Sequence, residues 1–133
     1  MFVQKIRVLV AEDDEVSAKA ARTMLQQLGC SVDVVSDGAQ AVDQFQEHKY
    51  DLVLMDSQMP FVNGIEATAK IRSLPGGEHT PIVGTTSGHG HTEGLSGGMN
   101  EIVPKPFLLS KMRYVLSRWT GWTEPSKSGS HTL

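Results

Sequence analysis

The chain has too little cysteine, too little basic charge and too few consecutive apolar residues for several large classes of protein. Cys30 is the only cysteine, so no disulfide can form within the chain. The plainest reading of Cys30 is a small half-buried hydrophobe at the start of a strand rather than a reactive thiol. Twelve basic residues against fifteen acidic ones leave a net charge of −3, which argues against nucleic acid as a direct partner, because phosphate backbones select basic surfaces. No apolar run approaches the length that spans a bilayer, and the first residues lack the apolar centre of a signal peptide. These absences lead us to expect a soluble, cytoplasmic protein with no membrane insertion. There is no internal repeat, and no Cys/His cluster suits a soft metal. His89-Gly90-His91 has a possible ligand spacing, but it reads more plainly as a solvated part of a glycine-rich loop.

What is present is ordinary in bulk and ordered in detail. With 133 residues, 39% hydrophobic and 20% charged, the chain can bury one sound core. Strand and helix signals alternate along it. Strands are expected at Ile6–Ala11, Ser31–Val35, Asp51–Met55, Pro81–Thr85 and Ile102–Pro104. Helices are expected over Glu15–Leu28 with Val16, Ala20, Met24 and Leu28 as its stripe and Gly29 closing it, and from Asp37-Gly38-Ala39-Gln40 through about Glu47 with Ala41, Val42 and Phe45 inward. Two more are expected, one from near Gly64, carrying Ile65, Ala69 and Arg72, to before Pro75, and one over Leu108–Trp119 with Leu108, Met112, Val115 and Trp119 on one face. This alternation predicts an α/β fold: a doubly wound, five-stranded parallel sheet of order 2-1-3-4-5 with helices on both faces. Residues 1–119 form the expected domain. Residues 120–133, rich in Gly, Ser, Thr, Pro and Lys, are expected to form a loose tail, with Trp122 able to dock back.

In that order the first and third strands are neighbours, and each delivers acid to the same rim. Ile6–Ala11 runs into Glu12-Asp13-Asp14, and Asp51–Met55 runs into Asp56. Open α/β sheets place their chemistry beyond the carboxyl ends of the strands. Two carboxylates about 4 Å apart repel by about 4 kcal/mol at an effective dielectric near 20. A divalent cation removes that cost, and an all-oxygen donor set suits Mg²⁺. A carboxylate can also act as the nucleophile in phosphoryl transfer, provided that a metal, a fixed cation and a hydroxyl surround the incoming group. Thr85 and Thr86 close the fourth strand and Lys105 closes the fifth. In this arrangement Asp56 accepts the phosphoryl group, Glu12 and Asp13 hold the metal, and Thr86 and Lys105 each meet a phosphoryl oxygen. Taken singly, each residue has a plainer reading. Asp13 and Asp14 are good helix caps, Lys105 is an ordinary surface lysine, and Met55 and Met59 are packing residues.

Val10-Ala11-Glu12-Asp13-Asp14-Glu15, Leu54-Met55-Asp56-Ser57-Gln58-Met59-Pro60, Asn63-Gly64, Pro81-Ile82-Val83-Gly84-Thr85-Thr86 and Pro104-Lys105-Pro106-Phe107 occur in this order. Together they resemble a response-regulator receiver domain of two-component signalling, most of all the receivers of hybrid histidine kinases and phosphorelays. The resemblance implies a flavodoxin-like receiver fold, a phosphoacceptor at Asp56, and Mg²⁺ bound by Glu12, Asp13, Asp56 and the Gln58 carbonyl. It further implies a cis Lys105–Pro106 bond and a histidine kinase or histidine phosphotransfer domain as partner. A weak homodimer through the fourth strand, fifth strand and last helix also follows from it, as does activity limited to self-phosphorylation and slow autodephosphorylation.

The chain departs from the receiver pattern in two places. The stretch between Thr86 and Lys105 is short for a receiver and holds Gly88, Gly90, Gly94, Gly97 and Gly98. Each glycine costs about 1 kcal/mol within a helix, so the helix expected there is short, frayed or absent. Ile102 stands where receivers commonly carry an aromatic residue. These departures keep open the alternative of a vestigial receiver that serves as a phosphorylation-independent interaction module. A haloacid-dehalogenase-type phosphatase is less well supported, because Asp56-Ser57-Gln58 lacks a second aspartate two residues on. Flavin mononucleotide binding is also poorly supported, because the loop after the first strand is acidic.

Overall fold

The computed structural model describes residues 5–59, 62–87, 95 and 97–124. Five strands, β1 (Arg7–Ala11), β2 (Ser31–Val35), β3 (Leu52–Asp56), β4 (Ile82–Thr86) and β5 (Glu101–Pro104), form one parallel sheet of order β2-β1-β3-β4-β5. The described helices are α1 (Glu15–Gln27), α2 (Gly38–Glu47), α3 (Gly64–Arg72) and α4 (Leu109–Trp119). The strand order and the alternation of strands with helices are those expected from the sequence. The expectation about the segment between β4 and β5 falls largely on residues 88–94 and 96, which lie outside the described residues.

Side chains alternate across the strands and divide the core into two layers. Val8, Val10, Leu52, Leu54, Val83 and Val103 face α1 and α4, while Leu9, Ala11, Val53, Met55 and Ile82 face α2 and α3. Every residue of β3 and β4 is buried, as expected of central strands covered on both sides. Local chemistry starts the helices where they start. Asp14, Asp37 and Asn63 each accept a bond from the backbone N–H three residues on, all at 2.8 Å. Gly29, at φ 87°, ends α1 in the left-handed conformation that glycine adopts without steric cost.

The inward faces of two helices differ from the expected ones. In α1 the buried residues are Ala21 and Leu25, followed by Leu28, whereas Val16 is 77% exposed. The inward face is offset by about one residue from the expected stripe, with Ala21 and Leu25 in place of Ala20 and Met24. In α4 the buried face is Met112, Val115 and Leu116. Leu108 precedes the helix and is 64% exposed. In α3 the buried side is Gly64, Ala67, Thr68 and Ile71.

Cys30 is buried, and burial first, with the Asp51 charge second, pushes its thiol up to about 11, which agrees with a packing role. Trp122 docks back: its indole N–H donates to the Leu28 carbonyl at 2.8 Å. Among the described residues no helix is long and apolar enough to cross a membrane.

Away from the acids, Asp33 in the middle of β2 accepts the Tyr50 hydroxyl at 2.6 Å and the Arg7 guanidinium at 3.2 Å. These bonds tie the edge strand to β1 and to the lead-in of β3. Tyr50→Phe is expected to cost about 1 kcal/mol, since the partner is charged but partly solvated. The loss would appear as a lower urea midpoint at unchanged slope. An unchanged midpoint would contradict it.

Candidate functional site

β1 and β3 lie side by side, with Val10 opposite Leu54 and Ala11 opposite Met55, so the residues that follow Ala11 meet Asp56 at the sheet's carboxyl rim. Glu12 is held in place by its own N–H on the Val35 carbonyl at 3.0 Å. One of its carboxylate oxygens accepts the Asp14 N–H at 3.1 Å. Asp13 is exposed beside it, and Glu12 and Asp56 are buried. One carboxylate oxygen from each of Glu12, Asp13 and Asp56 lies within 4.8 Å of the others. Asp14 stands outside this group and caps α1 through Ser17.

Lys105 enters from the end of β5. Its Nζ lies 2.7 Å from Glu12 Oε1 and 3.2 Å from Asp56 Oδ2. The sequence suggested Lys105 as a partner of the phosphoryl group. It gave no sign of this tighter pairing with Glu12, because the contact depends on how far β5 reaches past β4. The backbone fixes that reach: Lys105 N–H donates to the Thr86 carbonyl at 2.8 Å, and the Lys105–Pro106 peptide is cis.

Asp56 pairs across the sheet with Thr85, and its Oδ1 accepts the Gln58 N–H at 3.1 Å. Thr86 is buried at the end of β4, and Gln58 is exposed in the turn after β3. Ser57, given no role by the sequence, has a buried hydroxyl with no hydrogen-bond partner among the described residues.

The electrostatics follow from burial and crowding. Burial pushes the Asp56 carboxyl above its ordinary range; the Gln58 N–H and Lys105 oppose this, and Glu12 adds to it. Burial alone would lower the Lys105 ammonium, but its bond to Glu12 and the charges of Asp56 and Glu12 outweigh that and raise it. The site is therefore a buried ion-pair network with more acid than base. A cavity of about 420 Å³ opens beside it, lined by Val16, Ala20, Met24, Lys105 and Phe107 among others.

The donor set passes a chemical test for a hard divalent cation. It offers converging carboxylate oxygens, with no sulfur or imidazole in the cluster. It also offers one carboxylate, Asp56, with a lysine on one of its oxygens and backbone N–H on the other.

The model of the response regulator receiver domain family matches residues 8–117. The transcription factor SKN7 of Saccharomyces cerevisiae is 39% identical over 115 residues, which cover 84% of this chain and 18% of that protein. Two-component response regulator 24 of Arabidopsis thaliana is 35% identical over 118 residues, covering 86% of this chain and 84% of that one. Among solved structures, the receiver domain of sensor histidine kinase PA1611 from Pseudomonas aeruginosa superposes with a TM-score of 0.84 at 36% identity. That alignment covers 89% of this chain and 99% of that domain, which was crystallised with a magnesium ion in its active-site cleft. The chain spans only 15% to 21% of the length of the three SKN7 proteins it matches. The family match over nearly all of the sheet and helices, together with the acids on its rim, makes this chain a member of the response-regulator receiver family.

Proposed function

We propose that the chain is the phospho-accepting receiver of a two-component phosphorelay, with Asp56 as the acceptor. The observation that carries this reading is Lys105 Nζ seated between Glu12 and Asp56, with Asp13 completing the acidic group. An Asp56 carboxylate oxygen attacks the phosphorus of a phosphohistidine on a histidine kinase or a histidine phosphotransfer domain. The O–P bond forms as the P–N bond breaks, and the electron pair leaves on the imidazole nitrogen, which takes a proton from water. Lys105 and Thr86 meet oxygens of the transferred group and stabilise its charge where it develops. Glu12, Asp13, Asp56 and the Gln58 carbonyl would hold Mg²⁺, which when bound cancels the crowding of carboxylates and screens the incoming phosphoryl oxygens.

The folded unit reads as one receiver domain within residues 1–119, acting in the cytoplasm through protein contacts and not through nucleic acid. The face made by β4, β5 and α4 is the surface we assign to weak self-association.

Incubation with acetyl phosphate tests the reading. The chain should take up one phosphoryl group when Mg²⁺ is present and none after chelation with EDTA. The vestigial alternative expects no uptake under either condition. Uptake that survives metal removal would contradict the metal's place in the site.

A further inference from the structure

We propose that Arg72, at the end of α3 and on the opposite side of the sheet from the acidic rim, is a positioning residue for Lys105. The inference rests on the reading of Lys105 as part of the phosphoryl-transfer site. β5 has four residues and one neighbouring strand, pairing from Val83 with Glu101 to Thr86 with Pro104. A strand this short carries few rungs to fix its own register, and a slip of one residue would turn every side chain to the other face.

The register is fixed where β5 begins. Asn100 N–H donates to the Ile82 carbonyl and its side-chain oxygen accepts the Ile82 N–H, both at 2.8 Å. The Arg72 guanidinium donates to that same side-chain oxygen at 2.8 Å. It donates to the Gly98 carbonyl through Nε at 3.0 Å and Nη2 at 2.7 Å, and through Nη1 to the carbonyls of Gly77 at 2.6 Å and Thr80 at 2.7 Å. Gly98 has φ 109°, a left-handed backbone that favours glycine.

All five bonds go to amide oxygens, and they join the lead-in of β4 to the lead-in of β5. At about 3.3 Å per residue, the clamp at Asn100 acts roughly 16 Å from Lys105. Only a planar fork with several donors can bridge both lead-ins. A lysine would bring the charge without the fork. Met99 and Ile102 pack where a side chain at Gly84 would stand, which gives β5 a second hold on the sheet besides the clamp.

The test compares phosphorylation by acetyl phosphate at saturating Mg²⁺ in the wild type, Arg72→Gln, Arg72→Lys, Lys105→Met and the Arg72→Gln/Lys105→Met double variant. Hydrogen exchange at the Lys105 amide, which donates to the Thr86 carbonyl, is read alongside. Arg72→Gln should slow labelling about tenfold, as displacement of a catalytic group does, with Mg²⁺ affinity unchanged and Lys105 amide protection reduced. Arg72→Lys should not restore the rate, and it supplies the comparison if Arg72→Gln does not fold. The double variant should be no slower than Lys105→Met alone. Arg72 variants that label at the wild-type rate, losses that multiply in the double variant, or unchanged Lys105 protection would each overturn the positioning role. A wild type that takes no label would contradict the proposed function instead, and amide exchange would still decide the role of Arg72.

Discussion

Asp56→Asn is expected to abolish phosphoryl uptake while leaving the fold intact. The amide has nearly the same shape as the carboxylate but is a far weaker nucleophile, so acetyl phosphate should add no mass to the variant under conditions that label the wild type. The loss cannot be blamed on unfolding, because Asp56 carries an electrostatic cost in the metal-free protein. Its carboxyl is pushed above the ordinary range by burial and by Glu12. A group raised in the folded state stabilises the fold at pH values below its unfolded value, and that contribution is lost as pH rises through the folded value. The metal-free wild type should therefore lose stability from Asp56 as pH rises from the acid range toward neutral, and Asp56→Asn should lack that decline. Thermal midpoints across the pH range read this directly. A variant that still gains acid-labile phosphate would place the acceptor elsewhere.

The second large effect is on stability, at Gly64→Ala. A Cβ on Gly64 would overlap the Asp56 carbonyl oxygen, with that carbonyl's carbon 2.8 Å away and the Met55 side chain 3.0 Å away. Two of these neighbours are backbone at the end of a buried strand, so no rotamer change relieves the overlap. The first turn of α3 must move off β3, at a cost of about 3 kcal/mol, the upper end of ordinary overpacking. In a domain of this size that lowers the thermal midpoint by roughly 10 °C. The shift also disturbs the backbone that aims Asp56, so labelling should slow in whatever fraction stays folded. An unchanged melting temperature would show that α3 does not pack where the structure puts it.

The parts of the fold that were legible in the sequence are those set by local chemistry. β3 reads as a central strand because Leu52 to Met55 is unbroken apolar chain, and all of it is buried. The acids could be placed together because each immediately follows such a strand, and parallel order then makes them neighbours. Asp37 and Gln40 read as a cap, and Asp37 does cap its helix, although Gln40 reaches back to Ser36 N–H at 3.2 Å. The inward side of α1 was not legible. Val16, Ala20 and Met24 repeat every four residues, but so do Ala21 and Leu25, and only the position of the helix on the sheet chooses between them. The Lys105–Glu12 contact was hidden for a similar reason: it is set by the reach of β5. Arg72 is legible in the sequence only as one of the residues carried by the third helix. Nothing local reveals that its bonds go to loops that are distant in sequence.

The central claim is that Glu12, Asp13 and Asp56 form one cation site facing Lys105. Titration of the wild type and Asp13→Asn with Mg²⁺, followed by amide NMR, tests it most directly. The account expects saturable, single-site shifts in the wild type, concentrated at Glu12–Glu15, Asp56–Gln58 and Lys105, and greatly weakened binding in Asp13→Asn. Shifts that are absent at these residues, or identical in the two proteins, would contradict it.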